Sequence, residues 1–222
     1  MSARAEKMNE GNAAETPFMD SARLARLAAL SRSELEALQL HKLRLQLARL
    51  HGGSGYYRRR MDAAGVAPDA IASVADFCAR FPLSNKTDFL ADQTDHPPFG
   101  QRLSIAREDV ALVNMTGGTS GLGQEIYGRS QRDVHVQGYY HALPWFLAGL
   151  RPGDIAVNCV PAGGLTTGGW GPGEGLRIIG ATAFHVGGTL STDAKIDLML
   201  RIGEVNFIYA STNQIDSIRC SL

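Results

Sequence analysis

The sequence has no long hydrophobic run. Nowhere in its 222 residues does an apolar stretch approach the ~20 residues that a helix needs to cross a bilayer. The first residues mix charged with small side chains and lack the apolar segment of a secretory signal. We therefore expect a cytoplasmic protein that spans no membrane.

The sequence also has no excess of charge of either sign, and it has few cysteines. Lysine and arginine together number 22, as do aspartate and glutamate, so the formal net charge is zero. Without net charge there is no long-range field to attract nucleic acid or an anionic membrane, and we expect neither as a partner. Cys78, Cys159 and Cys220 form no Cys-x-x-Cys pair, so no zinc site and no structural disulfide are predicted.

What the chain does have is a change of pattern near residue 109. Residues 1–20 are small, polar and charged, and we expect a disordered leader there. Residues 21–108 carry mainly helical signals, whereas residues 109–222 alternate strand and helix signals. The predicted fold class is α/β, with a helical N-terminal region followed by alternating strands and helices.

Helix signals dominate the first region. Ser31 and Glu34 have the spacing of a capping box, and leucines follow at helical intervals until Gly52-Gly53. The later helices predicted there are 58–64, a short one from Val74, and one entered from the loop 82–88.

The second region predicts a sheet. Strands are expected at 109–114, 124–128, 155–160, 181–186 and 206–210. Helices are expected at 130–150, 174–179 and 193–202. Ser130 and Asp133 can cap the first of these helices, which Pro144 should kink. Because strands and helices alternate, we expect a parallel or mixed sheet with helices on both faces.

A glycine- and threonine-rich loop follows the first predicted strand. Its residues are Thr116, Gly117, Gly118, Thr119, Ser120 and Gly121. Glycine permits turns that let several N–H groups converge on one anion, and the hydroxyl groups add further donors. We therefore predict a nucleotide phosphate site, with the three glycines exposed at the carboxyl edge of a sheet. The alternative is a glycine-rich hairpin without a ligand.

The same stretch also fits another nucleotide fingerprint. Thr116-Gly117-x-x-x-Gly121-x-Gly123 matches the loop of short-chain dehydrogenases, which would make the chain an NAD(P) protein. In that family a helix follows the loop and a Tyr-x-x-x-Lys pair lies downstream. Here the residues after Gly123 predict a strand, and no tyrosine has a lysine four positions later. The dehydrogenase is therefore the weaker hypothesis.

Segments spread along the chain carry a wider pattern. They are Leu43-Arg44 with Tyr56-Tyr57-Arg58 and Ala64-Gly65-Val66, then Phe81 to Phe89, the glycine loop with Tyr127 and Asp133, Arg151-Pro152-Gly153-Asp154, and finally Gly168-Gly169, Gly180-Ala181-Thr182 and Gly187-Gly188. In this order, residues 34–218 resemble the N-terminal portion of the phenylacetate–CoA ligase family, a group of adenylate-forming enzymes. The resemblance implies that the α/β region is part of the large N-terminal domain of such an enzyme.

The resemblance implies an ATP-dependent acyl- or aryl-CoA ligase. A small carboxylic acid would attack the α-phosphorus of ATP to give an acyl adenylate and pyrophosphate, and CoA would then displace AMP. The glycine loop would hold the β- and γ-phosphates. ATP, CoA and Mg²⁺ are the implied cofactors, but no Mg²⁺ ligand and no catalytic residue is identified in the sequence.

The resemblance also implies where the acyl group lies. Residues 161–171 would approach it, and His185 ends a predicted strand beside two glycines, where α/β sheets usually keep their ligands. The candidate acyl-pocket residues are Gly164, Leu165, Thr166, Gly168, Gly169 and His185.

The chain departs from the family pattern at two points. Leu122-Gly123 stand where Lys-Pro usually follows the loop, so the loop has no cation of its own. Relatives also continue beyond the equivalent of Leu222 into further nucleotide-binding segments and a C-terminal domain, which we expect to be absent here. The interpretations are a truncated ligase, a noncatalytic remnant, or a subunit completed by a second chain. Uncovered surface would also favour a homo-oligomer.

Overall fold

A computed structural model describes residues 21–161, 165–188 and 190–221. The predicted leader and Gly164 lie outside the described residues. The chain forms two compact units, of which the first holds residues 21–48 and 66–81 and the second holds residues 49–65 and 82–221. The domain ranges expected from the sequence remain predictions.

The helices and strands follow the α/β pattern. The helices are α1 Ser21–Ala28, α2 Arg32–Gly53, α3 Gly55–Ala63, α4 Val74–Arg80, α5 Lys86–Asp95, α6 Gln131–Leu147, α7 Thr167–Ile179, α8 Thr192–Ile202 and α9 Thr212–Ser221. The strands are β1 Leu112–Met115, β2 Ile126–Arg129, β3 Ile155–Pro161, β4 Thr182–Gly187 and β5 Phe207–Tyr209. Helices α1 and α9 are present in the structure but were not predicted from the sequence.

The first unit is helical and centres on α2. This helix begins at the predicted capping box, where the Ser31 N–H donates to Glu34 Oε2 at 2.8 Å and the Glu34 N–H donates to Ser31 Oγ at 3.3 Å. Leu47 of α2 and Ile71 are buried. Arg44 Nε also donates to the Ile71 carbonyl at 2.9 Å, and this bond holds the backbone at Ile71 against helix α2.

The second unit holds a three-stranded parallel sheet with the order β4-β3-β5. On one face Val157, Cys159 and Val186 form a buried cluster with Ile196 of α8 and Ile218 of α9. On the other face the Trp145 ring of α6 lies 5.7 Å from the Phe207 ring and 5.0 Å from the Tyr209 ring. Helices therefore cover both faces, as predicted.

The first predicted strand lies outside this parallel sheet. β1 pairs antiparallel with β2, from Leu112 opposite Arg129 to Met115 opposite Ile126. The connection, residues 116–125, is shorter than the dozen or more residues that a parallel crossover needs. The glycine loop is therefore the tip of a hairpin, and it follows the carboxyl end of β1 in a separate two-stranded sheet.

Helix α7 is longer than predicted. The expected helix was 174–179, but α7 begins at Thr167 and runs through glycines and Pro172, which are poor helix formers. Close packing against α6 explains the difference, because a Cβ at Gly175 would lie 2.7 Å from the Cβ of His141 and 2.9 Å from Trp145 Cζ3. Tertiary packing thus outweighs helix propensity in this segment.

Helix α6 begins as predicted. Ser130 Oγ accepts from the Asp133 N–H at 3.2 Å, and Asp133 Oδ2 accepts from the Ser130 N–H at 2.9 Å, which completes a capping box. Pro144 lies inside this helix, and the kink expected from it remains a prediction.

Candidate functional site

Thr116 closes the base of the glycine loop. Its N–H donates to the Glu125 carbonyl at 3.0 Å, and its Oγ1 accepts from the Glu125 N–H at 3.0 Å. Gln124 Nε2 donates to the Thr116 carbonyl at 3.1 Å. These bonds extend the pairing of β1 with β2, so the loop is anchored on a hairpin.

Two glycines allow the backbone of the loop to turn. Gly118 has φ +72° and Gly121 has φ +71°, which side chains with a Cβ rarely adopt, and the Gly121 N–H donates to the Gly118 carbonyl at 3.1 Å. Gly117, Ser120 and Gly121 are exposed, and Gly118 is half-buried. Among the described residues, the N–H groups of 117–120 donate to no backbone carbonyl. They are therefore available to an anion.

A cation reaches the loop from a different element. Lys86, the first residue of α5, donates from Nζ to Ser120 Oγ at 2.8 Å. Asn85 and Asp88 form the capping box that begins this helix and so fix where Lys86 stands. The loop has no positive side chain of its own, and Lys86 supplies one beside its tip.

No role in the site was predicted for Lys86 from the sequence. A usable signal was present, because the positive end of a helix dipole disfavours a cation in the first turn. A lysine at the first position of a capped helix is therefore out of place unless it meets an anion or another partner.

Helix α5 also contacts the segment that leads from the glycine loop into β2. Gln93 Oε1 accepts from the Ile126 N–H at 2.7 Å, and Gln93 Nε2 donates to the Gln124 carbonyl at 3.2 Å. A Cβ at Gly123 would lie 3.4 Å from Leu90 Cδ1. The loop is held along one side by the helix while its tip stays open to solvent.

A buried cluster lies beside the hairpin. The Arg102 guanidinium is 4.9 Å from the centre of the Phe89 ring and 4.8 Å from that of Tyr127, in cation–π contact with both. The Tyr127 hydroxyl donates to Glu125 Oε2 at 2.8 Å. Burial, followed by this hydrogen bond to Glu125, raises the pKa of the Tyr127 hydroxyl. Tyr127 is therefore a neutral, fixed support for the strand that leaves the loop.

The candidate acyl-pocket residues separate into two places. The Leu165 carbonyl accepts from the Met115 N–H at 2.8 Å and from Asn114 Nδ2 at 3.3 Å, which puts Leu165 beside the end of β1. Thr166 and Gly168 are exposed, at the cap and first turn of α7. Gly169 and His185 instead line a cavity.

That cavity has a volume of about 440 Å³, within the range usual for small-molecule sites. It is lined by Ala111, Leu112, Gln131, Val134, Gly169, Trp170, Gly173, Glu174 and His185. Gly173 lies about 9 Å along the helix axis from Thr167, where α7 begins near Leu165, at ~1.5 Å per residue. The cavity therefore adjoins the helix that follows Leu165, a residue bonded to the end of β1, the strand that leads into the glycine loop.

Among the described residues of the cavity wall, Glu174 supplies the one carboxylate, and it is paired. Arg177 donates from Nε to Glu174 Oε2 at 2.9 Å and from Nη2 to Oε1 at 2.6 Å, and His135 Nδ1 lies 3.8 Å from Oε1. The bonds from Arg177 hold the pKa of Glu174 below its usual value. The charge of Glu174 is thus balanced before any ligand arrives.

The described residues bring together no group of three or more His, Cys, Asp or Glu side chains able to hold a metal ion. His141, packed against α7, has its pKa lowered by burial.

In the part of the chain that the structure covers, no helix has the length and apolar character needed to cross a membrane.

Known proteins match this chain over part of their length. It is 34% identical over 165 residues to a phenylacetate-coenzyme A ligase of Thermus thermophilus, covering 74% of this chain and 35% of that protein. It is 30% identical over 171 residues to a phenylacetate-coenzyme A ligase of Escherichia coli, covering 77% and 37%. The chain thus spans little more than a third of the length of these relatives. No family model matches it.

Solved structures give the same result. A 2-hydroxyisobutyryl-CoA ligase in complex with 2-HIB-AMP matches with a TM-score of 0.72 and 26% identity, over 80% of this chain and 37% of that one. An open conformation of this ligase with 2-HIB-AMP and CoA matches with a TM-score of 0.72, over 80% and 41%. The predicted fold class and the predicted resemblance are confirmed.

Proposed function

Because this chain is related to the phenylacetate–CoA ligases over about three quarters of its own length, we propose that it provides the ATP phosphate site of an acyl- or aryl-CoA ligase. The observation that carries the proposal is the open glycine loop with Lys86 Nζ at 2.8 Å from Ser120 Oγ. N–H groups without a backbone acceptor, hydroxyls and one cation occur together in and beside the loop, and these are the donors that a polyphosphate needs.

The reaction has two steps. A carboxylate oxygen attacks the α-phosphorus of ATP, the bond from that phosphorus to the bridging oxygen breaks, and pyrophosphate leaves with the electron pair. The sulfur of CoA, having lost its proton, then attacks the acyl carbon, and AMP leaves. Within the first step, the loop and Lys86 stabilise the charge that grows on the departing pyrophosphate.

Lys86 takes the place of the cation missing at Leu122. A side chain that approaches from α5 can reach the open tip of the loop without belonging to it. The cap at Asn85 fixes the start of α5, so the backbone of Lys86 is positioned before ATP binds. Positioned donors stabilise a developing charge with little reorganisation.

The resemblance to the ligase family implies Mg²⁺ and CoA. The described residues offer no cluster of metal ligands, so none of them is assigned to Mg²⁺. CoA would supply the thiol of the second step, and no described residue is assigned to it. Three further expectations remain predictions: a second chain that completes the enzyme, self-association, and a cytoplasmic location. Size-exclusion chromatography can test the first two by measuring the size of the assembly.

Calorimetric titration with ATP tests the phosphate site. The variant K86A should bind ATP about tenfold more weakly, because a charge-assisted hydrogen bond is lost at a partly exposed site. The variant K42A, which removes an exposed lysine of α2, is the matched control and should bind ATP like the parent chain. Equal affinities of K86A and the parent would contradict the proposal.

ATP–pyrophosphate exchange with a panel of aryl and small carboxylic acids tests turnover. Exchange by this chain alone would establish adenylation and exclude the noncatalytic remnant. ATP binding without exchange would support a phosphate-binding portion that needs further polypeptide. Nicotinamide-dependent turnover would instead establish the dehydrogenase hypothesis.

A further inference from the structure

A buried amide fixes the ring of His185. Asn158 of β3 is fully buried and lies opposite His185 of the neighbouring strand β4. Asn158 Oδ1 accepts from the Val160 N–H at 3.0 Å. Because a backbone N–H can only donate, this bond sets the orientation of the amide and turns Nδ2 toward His185.

The amide in turn selects one tautomer of the imidazole. Asn158 Nδ2 lies 3.0 Å from His185 Nδ1, and Nδ2 can only donate. Nδ1 must therefore accept, and the neutral ring carries its proton on Nε2. His185 is thus a hydrogen-bond donor at the far edge of its ring.

That edge lies at the cavity wall. A Cβ at Gly173 would lie 3.2 Å from His185 Cε1 and 3.4 Å from Nε2, and both residues line the cavity. The absence of a side chain at Gly173 leaves room for this edge of the ring. A ligand in the cavity can therefore meet the Nε2–H group.

The rest of the wall is mostly apolar or already paired. Leu112 and Val134 present apolar surface, and both oxygens of Glu174 are held by Arg177. Trp170 contributes its ring, although its Nε1 is buried without a hydrogen-bond partner among the described residues, and Gln131 adds an amide. An additional positive group on a ligand would find no unpaired carboxylate among the wall residues that the structure describes. A neutral oxygen that accepts a hydrogen bond would meet the Nε2–H of His185.

We propose that His185 determines acyl specificity by donating from Nε2 to an oxygen of the acyl group. The substrate class is then a small carboxylic acid whose otherwise apolar acyl part carries a neutral acceptor, such as a hydroxyl, ether or carbonyl oxygen. This inference rests on the proposed function, because it takes the cavity beside α7 as the acyl site of the same ligase.

Pairs of carboxylic acids that differ in one heavy atom test the proposed role of His185. The three methoxyphenylacetate isomers are each compared with the ethylphenylacetate of the same substitution, in which a methylene replaces the ether oxygen. Calorimetry should show that at least one methoxy isomer binds about three- to tenfold more tightly, as expected of one neutral hydrogen bond. H185F should lose this preference, whereas H41F, at an exposed histidine of α2, should keep it.

A second variant acts on the tautomer and leaves His185 in place. In N158D a carboxylate faces Nδ1 and favours a proton there, so the preference for the ether should fall. Spectra of ¹⁵N-histidine-labelled protein should show His185 protonated at Nε2 in the parent and at Nδ1 in N158D. Thermal denaturation of each variant confirms folding.

The outcomes separate this inference from the proposed function. Equal binding within all three probe pairs, a preference that survives H185F, or no binding of any acid would overturn it. An Nδ1–H tautomer in the parent would also overturn it. ATP titration of the parent decides the proposed function separately, since ATP binding without any ether preference would leave the phosphate site standing and reject only the role of His185.

Discussion

Lys86 Nζ and Ser120 Oγ lie 2.8 Å apart, although 34 residues separate them in the chain. The contact joins the start of a capped helix to the tip of the glycine loop. Neither residue alone would identify the site, since serine is common in loops and lysine is common at surfaces. Their contact places a positive charge where the loop has open N–H groups.

A double-mutant cycle on this pair should show coupling. Lys86→Ala and Ser120→Ala should each weaken ATP binding, and the double variant should lose less than the sum of the two, because residues in contact are not independent. The expected interaction energy is about 0.5–1 kcal/mol, given the partial exposure of both side chains. Calorimetric ATP affinities of the four proteins give this value directly.

The control for this cycle pairs Lys86→Ala with Thr119→Ala. Thr119 is exposed in the same loop, and among the described residues the hydrogen bond from Lys86 Nζ goes to Ser120 and not to Thr119. Additive effects for Lys86 and Ser120 would show that the two act separately on ATP and would contradict the shared site.

Gly175 should be intolerant of a side chain. Gly175→Ala would bring a Cβ within 2.7 Å of the His141 Cβ and 3.1 Å of the Ala142 backbone nitrogen, and the buried backbone cannot move aside easily. Overpacking of this kind costs about 1–3 kcal/mol in the free energy of unfolding. Urea denaturation followed by circular dichroism measures the loss.

Gly168 gives a matched comparison within the same helix. Nothing lies within 4 Å of a Cβ built there, so Gly168→Ala should leave stability unchanged or raise it by up to about 1 kcal/mol. Equal destabilisation by both substitutions would show that helix α7 does not pack on α6 through its glycines.

The Glu174–Arg177 pair should make stability depend on acid pH. The bonds from Arg177 lower the pKa of Glu174 from its usual 4.5, so the unfolded chain binds this proton more readily than the folded chain. The stabilisation is therefore fully present above pH ~4.5 and is lost as the pH falls through the folded-state pKa. Melting temperatures across this range, compared with those of Glu174→Gln, isolate the effect.

Glu174→Gln should melt below the parent at neutral pH, and the difference should shrink in acid. Glu108→Gln, at an exposed position in the turn Arg107–Asp109, serves as the control and should show no such change with pH. A constant difference between Glu174→Gln and the parent at every pH would mean that the carboxylate charge contributes nothing to stability.

The capping boxes show what local sequence could predict. Ser31 with Glu34 and Ser130 with Asp133 were expected to begin helices, and both pairs form the reciprocal bonds. Such signals work because the bonds join residues three apart, so their energy depends little on the rest of the chain. The strand after the loop was predicted for a similar reason, from its local pattern alone.

Helix α7 shows what local sequence could not predict. Its first half is rich in glycine and contains proline, so propensity argued against a helix. Two of its glycines, Gly171 and Gly175, are explained by the close approach of α6, a contact between segments that lie some 30 residues apart and that no local window contains. The same limit applies to the pairing of β1 with β2 in a sheet of their own, which the local pattern does not specify.

For the candidate site, the glycine loop, the strands on either side of it and the resemblance to the phenylacetate–CoA ligases could be recognised without coordinates. They follow from residue types at short spacing and from the order of segments along the chain. The contact of Lys86 with Ser120, the pairing that makes the loop a hairpin tip, and the contact of Asn158 with His185 beside a cavity became visible in the folded chain alone. Each of these depends on contacts between residues distant in the chain, whose positions are set by packing of the whole unit rather than by local conformational preference.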